Sequence, residues 1–304
     1  MKRIIIISIV VLFMGLVAFV CTLSWIGCDK AIHPETEVSP YKLSEFDLPA
    51  EDVRFNTRDG LTLAGWFIPG INGATVILVH GMESTRRAML PHANYLNEAG
   101  YSVLLYDSRG RGKSEGDTIT LGAKELWDIE AAVDYLKTRT DVDLTRIGVQ
   151  GSSLGAASAI LAAAKRQEIK GVVAQIPFKS VNGVLYHTYP QIVGLPAFPF
   201  VPITKFICEC RLGVNFDDVD PSKVIDTISP RPVFLIDELE DELFPPDSVE
   251  VLYEAAREPK MLWQIPGAQH GKGFETEPEG YSRRVLEFWR QTFWIVNQEP
   301  ANGG

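Results

Sequence analysis

Gly151-Ser152-Ser153-Leu154-Gly155 sets Ser153 two residues from a glycine on either side, between the apolar run Ile147–Gln150 and the helix-forming stretch Leu154–Lys165. Strand, tight turn and helix in that order is the setting in which a serine is lifted above a sheet as a nucleophile. Side chains at the two glycine positions would collide in such a turn, and Ser152 fills the variable position. A serine hydroxyl needs a base to take its proton, and the base needs a carboxylate to hold its tautomer. With such an elbow the order is serine, acid, histidine, and only His270 lies beyond the last candidate acid strand. It stands in the turn-rich Pro266-Gly267-Ala268-Gln269-His270-Gly271, directly after the apolar run Lys260–Ile265. His33 lies near the N-terminus, His80 precedes the serine, His92 is in a helical stretch and His187 in a proline-rich one. The acid should follow the run Pro232–Ile236, where Asp237, Glu238, Glu240, Asp241 and Glu242 crowd together. Spacing alone does not choose among them.

The elements that must carry these groups are visible as a rhythm. Arg54–Ile68 reads as a β-hairpin turning at Asp59-Gly60. Apolar runs then alternate with helical patterns: Thr75–Val79 with Arg86–Asn97, Ser102–Tyr106 with Lys124–Lys137, Ile147–Gln150 with Leu154–Lys165, then Gly171–Gln175. In Lys124–Lys137, Leu126, Ile129, Val133 and Leu136 keep one apolar face. Such alternation is the pattern of a parallel sheet with helices on its faces, an α/β fold. The rhythm fails from Phe178 to about Val219, a stretch rich in proline and aromatics, and resumes as strand Pro232–Ile236, helix Ser248–Arg257, strand Lys260–Ile265 and helix Tyr281–Trp294.

The chain of 304 residues carries a net charge of -10 and a pI near 5.1. That argues against a nucleic-acid partner, whose binding rests on neutralising phosphates with Lys and Arg. From Ile4 to Gly27 no residue is charged, enough to cross a hydrocarbon core about 30 Å thick. A retained membrane anchor is expected rather than a cleaved signal peptide, whose apolar region is shorter. Lys2 and Arg3 ahead of it would place the rest of the chain outside the cytoplasm. Trp25-Ile26-Gly27-Cys28 partly resembles a bacterial lipoprotein cleavage box, with Cys28 as the residue to be lipidated. Four cysteines fall as Cys21 with Cys28 and Cys208 with Cys210, too few and too close for a disulfide framework or a zinc site, so buried free thiols are expected.

His80-Gly81-Met82, Tyr101-Ser102-Val103, Asp107-x-Arg109-Gly110-x-Gly112-x-Ser114-x-Gly116, Gly151-x-Ser153-x-Gly155 and Asp241-x-Leu243-Phe244-Pro245 together resemble the α/β-hydrolase family. More narrowly, they look like its bacterial esterase and serine-aminopeptidase-like branch, which includes membrane-anchored members. The resemblance covers about Val53 to Trp294. It implies that Asp241, four residues before Pro245, is the acid, with Glu240 in reserve. It also implies that the backbone N–H groups of Met82 and Leu154 would bind an oxyanion, that Arg109–Lys113 is a structural turn and not a phosphate loop, and that no metal or organic cofactor is required. Relatives commonly carry His-Gly where this chain has Asp237-Glu238, so the loop is unusually acidic, and crowded carboxylates raise one another's proton affinity.

The resulting expectation is an α/β-hydrolase fold with a mostly parallel sheet and an inserted cap. Residues 1–28 form the anchor or signal segment, 29–52 a tether, 53–294 the catalytic domain with its cap around 178–219, and 295–304 a C-terminal tail. A serine hydrolase would cleave an ester, thioester or amide, of small-molecule or lipidic acyl character, through an acyl-enzyme. The competing reading is a membrane-tethered binding or scaffold protein that kept the fold and lost turnover. The cap is expected to sit above Ser153 as an apolar wall of the pocket, with Phe198 and Phe200 in it.

Overall fold

The inner strands are apolar at consecutive positions, which a strand tolerates only when both its faces are covered. The computed structural model describes residues 2–296 and covers them with helices on both sides. After helix α1 (Lys2–Ile32) come the hairpin strands β1 (Glu51–Asn56) and β2 (Thr62–Ile68), then β3 (Thr75–Val79), α2 (Leu90–Glu98) and β4 (Ser102–Tyr106). Next are α3 (Glu125–Leu136), β5 (Ile147–Ser152), α4 (Leu154–Lys165) and β6 (Ile169–Gln175). The cap consists of α5 (Val181–Val193) and α6 (Ala197–Leu212). The chain closes with β7 (Val233–Glu238), α7 (Ser248–Ala255), β8 (Lys260–Ile265), α8 (Gly273–Thr276) and α9 (Pro278–Val296).

The eight strands form one sheet in the order β1-β2-β4-β3-β5-β6-β7-β8, with β1–β2 and β2–β4 antiparallel and every other pair parallel. Side chains alternate between the two faces. Val76 and Leu78 of β3 join a core with Leu96 and Trp289, under α2 and α9, while Ile77 and Val79 join the core under α3 and α4. Along α4 the buried residues include Ala156, Ala157, Ala159, Ala162 and Ala163. Their small side chains let this helix lie close behind the strands from which Ser153 emerges.

Several expectations change. Helix α1 does not end at Cys28: it runs to Ile32, with Ser24, Gly27, Cys28 and Ile32 buried. It is long and apolar enough to cross a membrane. The segment expected as a free tether is strapped to the body instead. Arg111 donates to the Pro34 carbonyl (2.7 Å) and Arg87 to that of Tyr41 (2.9 Å), and Tyr41, Leu43, Phe46 and Leu48 pack on the α2–α9 core.

The cysteines differ most. Cys28 and Cys208 are 180 residues apart in sequence but 5.5 Å apart at Cα, and they form a disulfide, while Cys21 and Cys210 are free and exposed. The free-thiol expectation is corrected for that pair because the fold packs the end of α1 against α6, which spacing in the sequence cannot show. Lipidation at Cys28 is corrected with it: the sulfur is buried and already bonded. The tail 295–304 lies outside the described residues beyond Val296.

Candidate active site

Ser153 stands between the end of β5 and the first residue of α4, with φ 54° and ψ -120°. That is a strained conformation for a residue with a Cβ, and it requires close backbone approach on both sides. A Cβ on Gly151 would lie 2.3 Å from the Gly155 carbonyl oxygen, and one on Gly155 would lie 2.5 Å from that of Val79. The glycines in the pentapeptide are thus sterically required. The Ser153 N–H donates to the Gln175 carbonyl of β6 (2.9 Å), fastening the turn to the neighbouring strand.

His270 follows β8, and its Nε2 lies 2.9 Å from Ser153 Oγ. Its Nδ1 lies 3.0 Å from Asp241 Oδ1. With Nδ1–H donating to the carboxylate, Nε2 is left to accept the serine proton. Asp241 Oδ1 also accepts from the Leu243 N–H (2.8 Å), which orients the carboxylate from its own loop. Phe244 lies edge-on to the imidazole with ring centroids 4.7 Å apart, and Phe178 packs on Phe244 at 5.5 Å.

The structure brings Ser153, His270 and Asp241 together, and it places Glu240, the reserve acid, in solvent. The expected crowding of carboxylates is dispersed by the direction each side chain takes. Asp237 accepts from Gln264 Nε2 (3.1 Å), and its burial raises its pKa. Glu238 turns inward.

Glu238 is the residue that reasoning from the sequence missed. Its carboxylate is buried, with its pKa raised by that burial, and it accepts from Gln175 Nε2 (2.6 Å) and from the N–H groups of Gly271 and Gly273. Gln175 in turn accepts from the Tyr281 hydroxyl (2.8 Å). The loop carrying His270 is therefore held from beneath by an anionic side chain. Gly273 leaves room for it: a Cβ there would lie 2.7 Å from Glu238 Oε1. The departure from His-Gly at 237–238 was the available signal, but which way the carboxylate points is a tertiary fact.

Met82 and Leu154 directly follow Gly81 and Ser153 in the chain. Leu154 opens α4, so its N–H has no carbonyl one turn behind it. A Cβ on Gly81 would lie 4.0 Å from Ser153 Oγ. His80 is buried, its Nε2 accepting from the Ser108 N–H (3.0 Å) and its Nδ1 donating to the Gly81 carbonyl (2.7 Å). In a trans peptide the N–H points opposite to the carbonyl, so this bond also sets the direction of the Met82 N–H. Burial lowers the His80 pKa and keeps the ring neutral.

Arg109 is not available to a ligand. It donates to Asp128 through Nε (2.9 Å) and Nη2 (2.6 Å) and to Asp59 through Nη1 (2.8 Å), all within the body. Among the described residues no cluster of His, Cys, Asp and Glu has the geometry to hold a metal ion.

The cap differs from expectation in detail. Thr188 of α5 donates to the Leu243 carbonyl (2.7 Å), so α5 overlies the Asp241 loop. Phe200, however, packs with Tyr189, Val201, Val20 and Leu23 against α1, and Phe198 is 78% exposed. Phe200 does not line the site, because α6 turns its apolar face to α1. Phe244 is the aromatic that meets His270, with Phe178 packed on it. The cavity bordering the Gly81–Met82 segment is about 10 Å³, room for one water and not for an acyl chain.

The family described as serine aminopeptidase, S33, matches residues 71–197. The uncharacterized protein YqkD of Bacillus subtilis is 31% identical over 232 residues, covering 75% of each chain. The uncharacterized protein YfhR of Escherichia coli is 30% identical over 249 residues, 79% of this chain and 80% of its own. Among solved structures, the Pyrococcus furiosus esterase Pf2001 is similar with a TM-score of 0.72 at 30% identity, covering 86% of this chain and 98% of that one.

Proposed function

The chain belongs to the α/β-hydrolase family, in its serine-aminopeptidase-like branch, and from that membership we propose that it is a serine hydrolase using Ser153, His270 and Asp241. The observation that carries the proposal is the linear relay from Ser153 Oγ to His270 Nε2 (2.9 Å) and from Nδ1 to Asp241 (3.0 Å) on a strained turn. Ser153 Oγ gives its proton to His270 Nε2 as it attacks an acyl carbon of an ester, thioester or amide. The negative oxygen of the tetrahedral intermediate is received by the N–H groups of Met82 and Leu154. His270 then protonates the leaving alcohol, thiol or amine, and an acyl-Ser153 ester remains. Water repeats the sequence, giving its proton to His270 and releasing the acid and the free serine.

The anchor reading belongs to the same proposal. The exposed apolar helix α1, with Lys2 and Arg3 in its first turn ahead of the uncharged run, holds the protein in a membrane with its catalytic body outside the cytoplasm. The Cys28–Cys208 disulfide supports that side, since such bonds persist in oxidising compartments.

A fluorophosphonate probe tests the site directly, because only an activated serine reacts readily with it. The wild-type protein should label, and Ser153→Ala should not, while Ser152→Ala should label normally. An unlabelled wild-type protein would return the chain to the reading of a non-catalytic binding protein.

A further inference from the structure

We infer that the cap is seated in the membrane surface beside α1, with Ile192, Val193 and Phe198 among the acyl chains of the bilayer, so that Ser153 draws its substrate from the lipid phase. This rests on the reading of α1 as a retained anchor and of the Ser153 site as a hydrolase.

Three features place the cap at that depth. First, no residue from Val181 to Thr204 is charged, although the stretch lies at the protein surface, and Lys179 and Lys205 bracket it. Ile192 is 69% exposed and Phe198 78%, either side of the corner between α5 and α6. Contiguous exposed apolar side chains on a soluble surface are unfavourable and mark a surface that something covers.

Second, the covering phase follows from where the corner sits along α1. About 20 apolar residues cross a hydrocarbon core, so a span begun at Ile4 ends near Leu23. Val20 and Leu23 are the residues of α1 that pack with Leu195, Ala197, Phe200 and Val201 of the corner. The corner is therefore level with the end of the hydrocarbon span, not with the catalytic body.

Third, the relation between helix and cap is rigid. Ser24 Oγ donates to the Phe200 carbonyl (3.5 Å), and Tyr189 lies where a Cβ on Gly27 would meet its ring at 3.1 Å. Cys28 is bonded to Cys208, and Asp29 pairs with Arg211 (2.8 Å). Arg211 also lies over the Trp25 ring at 4.6 Å. A tryptophan and a charge pair within two turns beyond the apolar span are what the interfacial layer accommodates. Contacts thus progress in parallel along α1 and α6, from apolar at Val20 to ionic at Asp29. If α1 spans the bilayer, the cap cannot leave its surface without unmaking this interface.

The link to the site is helix α5. Thr188 bonds the Asp241 loop, and Val193 lies five residues further along the same helix, about 8 Å away. An ester carried in the outer leaflet is thereby within reach of the wall that covers His270.

The test uses the full chain in phosphatidylcholine vesicles that contain a phosphatidylcholine with a diazirine in its acyl chain. After illumination, adducts are mapped by mass spectrometry. Adducts are expected within Ile4–Phe19 and also on the peptide carrying Ile192, Val193 and Phe198, with none at Ile71, a still more exposed apolar residue on the loop before β3. Adducts on α1 alone would overturn the seating of the cap and leave the anchor standing. Adducts on neither would remove the anchor and the seating together. A second arm compares the Ile192→Asp/Phe198→Asp double variant with wild type, both checked for unchanged fluorophosphonate labelling of Ser153. Removing an apolar side chain from lipid changes a partition equilibrium roughly 10- to 100-fold. The variant should lose at least about tenfold in kcat/KM on a long-chain ester dissolved in the vesicles, and stay within about twofold on a short water-soluble ester. An equal effect on both esters would overturn delivery from the lipid phase.

Discussion

Glu238→Gln isolates the buried carboxylate beneath the His270 loop, because glutamine has nearly the same volume and changes only charge and donor pattern. In the native protein Oε1 accepts from Gln175 Nε2 and the Gly273 N–H, and Oε2 from the Gly271 N–H. Glutamine offers one oxygen in place of two. If that oxygen keeps Gln175 and Gly273, its NH₂ faces the Gly271 N–H, donor against donor, next to His270. A hydrogen bond to a charged acceptor contributes about 1.5–3 kcal/mol. Expressed in the placement of His270, that is a loss of roughly 10- to 150-fold in kcat, with KM little changed.

Stability should respond differently. Burial raises the Glu238 pKa, so the folded protein binds a proton more readily than the unfolded chain, and stability falls as pH rises from the unfolded to the folded value. The charge on Glu238 is thus a cost to folding at neutral pH, and the neutral amide relieves it while losing a bond. The urea midpoint at pH 7 should move much less than the activity does. The assay pairs hydrolysis of a p-nitrophenyl butyrate series with urea unfolding of the same preparations, using Glu240→Gln as the control on an exposed neighbour. A kcat for Glu238→Gln within twofold of wild type would refute the reasoning, and so would a loss of activity fully explained by unfolding.

Asp241→Asn should lower kcat by roughly 10⁴, because His270 loses the carboxylate that fixes its tautomer, whereas Glu240→Gln should leave steady-state rates near wild type. Phe178→Leu should shift the ester chain-length profile towards longer acyl groups, since Phe178 packs on the Phe244 that borders His270. Phe200→Leu should lower the melting temperature without moving that profile, because Phe200 contacts α1. Burial pushes the His92 imidazole down to about 3. Below its ordinary value the unfolded chain therefore takes up a proton that the folded protein refuses. Stability should be full above about pH 6.5 and decline as pH falls, by up to about 1.4 kcal/mol per pH unit. Urea unfolding at pH 7 and 4.5 should show a smaller decline for His92→Gln than for wild type, and identical slopes would exclude His92 as the source.

The local chemistry of this protein was legible in its sequence because it is local. The pattern around Ser153 could be read from five residues, since the glycine spacing is a steric requirement of one turn. Alternating apolar runs announced the sheet, and the bounds of α4 and β8 agree with the apolar and helical periods read from the chain. The uncharged N-terminus announced a helix able to span a membrane. What lay out of reach depends on the direction of side chains and on contacts between distant segments. The acidic run 237–242 contains five carboxylates. Spacing alone did not choose among them, and the Asp241-x-Leu243-Phe244-Pro245 motif pointed to Asp241 only through family resemblance; that Glu240 faces water and Glu238 turns under the histidine loop follows from how β7 and the next turn sit against β8. Cys28 and Cys208 pair because α1 lies along α6, and no spacing rule applies to partners 180 residues apart. The aromatic content of the cap was plain in the sequence, but which rings face the site was not. A helix can present its apolar face to either neighbour, and only the packing of α6 on α1 sends Phe200 to α1 and leaves Phe244 beside His270, with Phe178 packed on it.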